Sequence, residues 1–410
     1  MLYIIIGIAL IALVLIIFEE VTHINKAKST LFLGCLAWLI LYISSSSIEE
    51  THLITENLNE NLLEIASLWL FLMAAMTFVA YLNSRGLIST LVQSWLPETL
   101  SERKLLVVLG FTSFLFSSLA DNVTATLVSV ALITQLKIAA NKRLKYAALI
   151  IFAVNSGGVS LITGDVTTLM IFLDGKVSII SLFQLVLPAL AGVVCLAILL
   201  SVNMNQTVHL VAEKSEIASA DKAIGIIFLS TIITTLTFNV LFHIPPVLTF
   251  LFGLSVMFLC EHFFPWPKTN RNLLHYIREI EFDTLLFFLG ILLIVGALKK
   301  LNVLDEITLL YQHLPTSVAN YLLGISSSLI DNVPLTAAVL KANIEMNPSD
   351  WLAITYAMGV GGSLLVIGSA AGIIAMSKVP GLNFVSYLRL FIQLFVAYSV
   401  GYWLSVYITQ

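Results

Sequence analysis

The chain has 410 residues, 59% of them hydrophobic and 11% charged, with a net charge of −4 and a mean hydropathy of +1.00. A soluble domain carries about 25% charged residues, so the composition excludes a soluble globular protein and implies an integral membrane protein. No basic tract offers a surface to nucleic acid, and Cys35, Cys195 and Cys260 are far apart in or beside apolar segments, without metal-ligand or disulfide spacing.

Leu2 to Phe18 has no Lys or Arg before it and no small-residue cleavage site after it, so it is read as a transmembrane helix and not a signal peptide. A spanning helix needs about 20 mostly apolar residues. Runs of that kind begin near Leu2, Leu31, Ala66, Tyr146, Leu182, Ala223, Val247, Thr284, Trp351 and Phe384, which predicts ten spans. Glu49, Glu50, Glu56, Glu60 and Glu64 are read as an acidic, solvated outer loop that can concentrate cations. Leu105 to Gln135 and Val318 to Ala342 are each split at an Asp-Asn pair and predict paired half-helices.

Lys and Arg gather in cytoplasmic loops. If both split stretches are re-entrant, only Lys176, Lys299, Lys300 and Lys341 of the 20 basic residues fall on one side; the rest, Lys26 and Lys142 among them, fall on the other. Both termini then face outward, the first hairpin enters from the cytoplasm, and the second enters from outside. The seven histidines fall mostly in loops or near span ends and read as interfacial.

Three blocks recur in the same order. Phe71–Ala80 matches Phe287–Gly296, and each is followed by a short amphipathic stretch (Leu87, Leu91, Trp95; Val303, Ile307, Tyr311) spaced for an interfacial helix. Ser117, Ser118, Asp121, Asn122 and Thr126 return as Ser327, Ser328, Asp331, Asn332 and Thr336. The segment from Asn155 to Asp165 matches the one ending at Ser369, through Gly157 with Gly361 and Gly164 with Gly368. Each copy holds five spans and a hairpin, and an odd number of crossings turns the second copy upside down. The expected architecture is an all-α membrane protein of two inverted repeats of five transmembrane helices. The first repeat is residues 1–205, with a hairpin near 104–136, and the second is 206–410, with a hairpin near 316–343. Each contributes a re-entrant helical hairpin and a broken helix that meet at the bilayer midplane, as in many secondary transporters.

A carboxylate at the centre of a membrane helix costs on the order of 2.5 to 3.5 kcal/mol and is functional by default. Asp121 and Asp331 stand four residues after Ser117 and Ser327, so each pair shares a helix face. Unwinding at Asp-Asn frees carbonyl oxygens which, with the side chains of Asn122 and Asn332, suit a small hard cation. Capping of the second half-helix is the plainer reading, although Ser or Thr would cap without burying a charge. Asp165 follows the helix-weakening Gly157, Gly158 and Gly164. A break there aims Asp165, Thr167 and Thr168 toward the first hairpin tip, while Ser369 holds the equivalent place in the second copy. Two close carboxylates in low dielectric cannot both ionise cheaply, so a proton and a cation compete for the same oxygens. Asp121 and Asp165 are assigned as the competing pair, with Asp331 and Asn332 bracing or tuning it.

On these motifs the chain resembles the NhaD family of bacterial sodium/proton antiporters, within the ion-transporter superfamily, over nearly its whole length. The most specific segments are Ser117 to Thr126, Gly164 to Thr168, Phe288 to Ala297 and Ser327 to Pro334. The resemblance implies exchange of Na+ or Li+ for H+ across the bacterial inner membrane, opposed hairpins beside broken helices, and a homodimer. Carried over by residue, the clusters it implies are Ser117 with Asp121 and Asn122; Asn155 with Asp165, Thr167 and Thr168; and Asn332 with Ser363 and Ser369. No enzyme activity and no cofactor is expected; the partners are the transported ions and the bilayer. A sodium-coupled carboxylate symporter or an arsenite-type exporter is the rival reading, but acidic hairpin tips disfavour an anionic substrate. An intramembrane aspartyl protease is a more distant one, because Asp165 lacks the earlier glycine of the presenilin-type motif and a duplicated architecture has no purpose there.

Overall fold

The computed structural model describes residues 2–17, 22, 24–87, 90, 99–135, 138–202, 204–209, 218–263, 273–280, 282–329, 331–342 and 344–410. Helices α1 (Leu2–Ile17), α2 (Lys26–Ile43) and α3 (Ile48–Ser84) lead to the pair α4 (Glu102–Leu119) and α5 (Asn122–Gln135). Next come α6 (Ala140–Gly158), α7 (Val166–Leu173), the single turn α8 (Ile179–Leu182) and α9 (Val186–Leu200). After a linker follow α10 (Ser219–Phe242), α11 (Pro246–Phe263), α12 (Phe282–Lys300), α13 (Glu306–His313) and the pair α14 (Thr316–Ser326) and α15 (Asn332–Lys341). The chain closes with α16 (Pro348–Gly361), α17 (Ala370–Lys378), α18 (Phe384–Leu388) and α19 (Phe391–Thr409). A short antiparallel pair, β1 (Thr99–Ser101) with β2 (Thr207–His209), was not foreseen from the sequence.

Among the described residues, six helical segments are long and apolar enough to cross a bilayer: Lys26–Ile43, Ile48–Ser84, Ile179–Leu200, Ser219–Phe242, Phe282–Lys300 and Phe391–Thr409. The other expected spans are the shorter apolar α1 and α11 and the two interrupted helices α6/α7 and α16/α17, whose breaks divide the apolar run. Of the two amphipathic stretches, Leu91 and Trp95 lie outside the described residues; Val303 to Tyr311 is a turn of 3-10 helix running into α13.

One expectation is corrected. The acidic segment from Glu49 to Glu64 is not a loop but the first half of α3, a single helix of 37 residues. At 1.5 Å per residue such a helix is about 55 Å long, well beyond a hydrocarbon core of about 30 Å. Ser47 caps it by accepting from the Glu50 amide at 3.1 Å, with Glu49 and Glu50 in the first turn where the helix dipole favours acid. Its acidic stripe is partly engaged: Glu64 pairs with Lys341 at the end of α15, and Glu60 lies 3.9 Å from Lys299 of α12.

Two kinds of packing organise the interior. In the first, α2 lies along α12 and α3 along α11. Backbones come close where a Cβ on Gly34 would sit 2.6 Å from the Gly290 oxygen, and Trp38 and Trp69 donate to the α12 carbonyls of Leu293 and Leu285 at 2.9 and 2.8 Å. In the second, α4 packs on α6 and α14 on α16, while α9 lies against α19. The second arms cross over: α5 packs on α17, and α15 on α7.

Candidate functional site

Both split stretches break at their aspartates. Helix α4 stops at Leu119, Ala120 is extended, and α5 begins at Asn122. The arms fold back on each other, with Ser113 Oγ donating to Ser129 Oγ at 2.9 Å. Asp121 caps α5: its Oδ1 accepts from the Thr124 amide and its Oδ2 from the Thr124 hydroxyl, both at 2.9 Å. This supplies one of the amide partners that a helix start otherwise lacks. In the second half Asp331 caps α15 by accepting from the Val333 amide at 3.4 Å.

The first arms of the two split stretches are pinned to the broken helices by equivalent contacts. Ser117 Oγ donates to the Val154 carbonyl at 2.7 Å and to Asn122 Oδ1 at 2.8 Å; Ser327 Oγ donates to the Met358 carbonyl at 3.1 Å. A Cβ at Gly157 would overlap the Phe114 carbonyl oxygen, and one at Gly361 the Gly324 carbonyl oxygen. Only glycine permits this approach. Helix α6 then ends at Gly158, and the chain runs irregularly to Asp165, which is extended at the start of α7.

Asp165 is 8% exposed, and its Oδ2 accepts from Thr167 Oγ1 at 2.7 Å. Across the molecule, Asn332 Nδ2 from the second tip donates to the same oxygen at 3.4 Å. Asn155 Nδ2 donates to Ser369 Oγ at 3.0 Å, and that hydroxyl accepts from the Gly372 amide at 3.3 Å as the cap of α17. Asn155 Oδ1, fully buried, has no hydrogen-bond partner among the described residues.

These groups surround a cavity of about 100 Å³, room for several waters or a partly hydrated cation. Of the residues singled out from the sequence, Asp121, Asn122, Asn155, Asp165, Asp331, Asn332 and Ser369 line it. Ser117 and Thr167 stand one hydrogen bond behind, on Asn122 and Asp165. Thr168 and Ser363 are buried on the carbonyls of Gly158 and Val360, at 3.4 and 2.6 Å, and are not in the lining. Part of the remaining wall is Leu72 and Met76 of α3 and Thr284, Phe287 and Phe288 of α12.

The sequence reading missed two partners. Thr124, which holds both Asp121 oxygens, was signalled only by its three-residue spacing from a cap. Lys26, grouped with the cytoplasmic loops, is the first residue of α2 and lines the cavity, with its Nζ 3.3 Å from Asp331 Oδ2. No local pattern joins residues 305 positions apart.

A mostly helical chain with several apolar helices, whose two interrupted helices and two split stretches meet at an acidic cavity, fits an all-α multi-pass membrane transporter. The family model described as citrate transporter matches residues 6–361. The chain is 32% identical to the Na(+)/H(+) antiporter NhaD of Vibrio cholerae, over 92% of this chain and 86% of that one. It is 33% identical to the protein of the same name from Alkalimonas amylolytica, over 98% and 90%. Among solved structures, the YdaH transporter of Alcanivorax borkumensis superposes with a TM-score of 0.57 at 14% identity, covering 93% of this chain and 97% of that one, which is a likeness of fold. The chain belongs to this transporter family, in its branch of NhaD-type antiporters.

Proposed function

We propose that the chain exchanges Na+ or Li+ for H+ across the bacterial inner membrane by alternating access, with cation and proton competing for the cavity carboxylates. The observation that carries this reading is the meeting of the second tip with the first broken helix. Asn332 reaches Asp165 at a cavity also lined by Asp121, Asp331 and Asn155, whose Oδ1 has no partner among the described residues. Carboxylate and amide oxygens are the donors a small hard cation takes, and an acidic wall disfavours a carboxylate substrate. When the cation leaves, each carboxylate must share a poorly hydrated space with its neighbours, and a proton is the other charge it can accept.

In this reading Asp121, Asn122, Asn155, Asp165, Asn332 and Ser369 face the cation, with Asp331 tuning the site. Ser117 and Thr167 orient Asn122 and Asp165, while Thr168 and Ser363 secure the backbone at the two breaks. Residues 1–205 and 206–410 are inverted repeats whose hairpins enter from the cytoplasm and from outside, with both termini outside and the breaks at the midplane. The paired bonds of Ser117 and Ser327, the paired approaches at Gly157 and Gly361, and the crossed packing of α5 on α17 and α15 on α7 support that arrangement. As in the family it resembles, the protein works as a homodimer.

Everted vesicles containing the protein and a pH-sensitive dye, challenged in turn with Na+, Li+, K+ and succinate, test the reading. Na+ or Li+ should alkalinise the lumen, and K+ and succinate should not. Sodium-stimulated succinate uptake without proton movement would replace exchange by symport.

A further inference from the structure

Lys26 brings to the cavity a charge that the exchange scheme does not use. Its position is built. Asn25 caps α2 by accepting from the Ala27 amide at 2.8 Å, and its Nδ2 donates to Asp283 in the first turn of α12 at 2.9 Å. This fixes the start of α2 beside the start of α12. From there the Lys26 ammonium lies 3.3 Å from Asp331 Oδ2 and 4.7 Å from the centre of the Phe287 ring. The two side chains are 21% and 12% exposed, so the pair is only partly screened by solvent. Breaking such a pair from one side leaves a poorly solvated charge behind.

Among the described residues lining the cavity, Asp121, Asp165 and Asp331 are the carboxylates and Lys26 is the cation. We propose that Lys26 is a tethered cation that neutralises Asp331 and thereby sets how tightly the cavity holds the transported ion, leaving Asp121 and Asp165 to the exchange. The inference rests on the Na+/H+ reading above. Lys26 acts in it as a tethered charge and positioning residue. Removing it adds one net negative charge, so Na+ binds more tightly and leaves more slowly; a transport site must bind weakly enough to release. Removing Asp331 instead takes one negative charge out of the cavity lining while Lys26 keeps its positive one, so Na+ binds less tightly. Removing both restores the balance.

The test is a Na+ titration of everted vesicles carrying the wild type, Lys26→Gln, Lys26→Arg, Asp331→Asn and the double variant Lys26→Gln/Asp331→Asn, normalised to the amount of protein. The wild-type response judges the exchange reading by itself. A unit charge several ångströms away in a partly solvated site shifts the half-saturating Na+ concentration by about tenfold. Lys26→Gln should lower that concentration by about this factor and also lower the maximal rate, a split that a merely structural lysine would not produce. Asp331→Asn should raise it by a similar factor, Lys26→Arg, which keeps the charge, should lie closer to the wild type than Lys26→Gln does, and the double variant should return to within about threefold of the wild type. If Lys26→Gln accumulates too little protein, comparing Asp331→Asn with the double variant carries the same test. For variants that do not transport, the Na+-induced rise in melting temperature of the purified protein reads the same affinity. Unchanged half-saturation on removing Lys26, or a double variant no tighter than Asp331→Asn, overturns the proposal and leaves the exchange reading standing.

Discussion

At the scale of single residues, Asp165 is one point at which the first half of the chain meets the second. It is buried and holds donors from its own turn and from the opposite tip. Asp165→Asn keeps the shape but removes both the charge and the exchangeable proton; Na+-driven alkalinisation of everted vesicles should fall to the level of vesicles without the protein, and the same holds for Asp121→Asn. Full activity in both variants would remove the basis of the exchange scheme. Thr167→Val removes one hydrogen bond to the Asp165 carboxylate, worth about 1 kcal/mol. The half-saturating Na+ concentration should rise about fivefold with little loss of maximal rate, as read in the same dye assay. The types of residue at the site were legible from sequence, because a carboxylate in an apolar run needs a reason. Their partners were not: Asn332 and Asp165 are 167 positions apart, and Lys26 reads as an ordinary loop charge until α2 is placed against α12.

At the scale of elements, the broken helices work because the hairpin arms come close enough to share polar contacts, and glycine sets that distance. Gly157→Ala and Gly361→Ala would each drive a methyl into a backbone carbonyl that cannot rotate away. Overpacking of this kind costs about 1–3 kcal/mol, so each variant should melt at a lower temperature in detergent than the wild type. Gly7→Ala, with nothing within 4 Å of its Cβ, should not. An equal melting temperature for all three would mean the arms are not packed this closely. The breaks themselves were readable, since Asp-Asn and clustered glycines interrupt apolar runs. Helix α3 shows the opposite case. Glu56, Glu60 and Glu64 recur at four-residue spacing, the period of a helical stripe, yet their density of charge suggested a loop. The segment is helical with its other face packed on the protein: Ile54, Asn61 and Ile65 are buried, and Asn61 Nδ2 donates to the Leu292 carbonyl of α12 at 3.2 Å.

For the whole molecule, the proposed inverted arrangement makes a topological prediction. With Cys35, Cys195 and Cys260 replaced, a single cysteine at Lys142 and one at Lys176 should react with an impermeant thiol reagent from opposite faces of the membrane, Lys176→Cys from outside. Labelling of both from the same face would rule out the proposed orientation of the first hairpin and its neighbouring broken helix. The sequence by itself determined that the chain is a membrane-embedded helical protein, where its helices break, and that its polar groups come in duplicated sets. Composition, periodicity and interrupted apolar runs are local properties, and they survive without knowledge of the fold. Only the tertiary structure decided which polar groups face one another: Asn332 with Asp165, Asn155 with Ser369, and Lys26 with Asp331. The reason is physical. Apolar helices in a bilayer are bounded on every side by surfaces of nearly equal hydrophobicity, so pattern alone does not specify neighbours, and the choice falls to close packing at residues such as Gly34, Gly157 and Gly361.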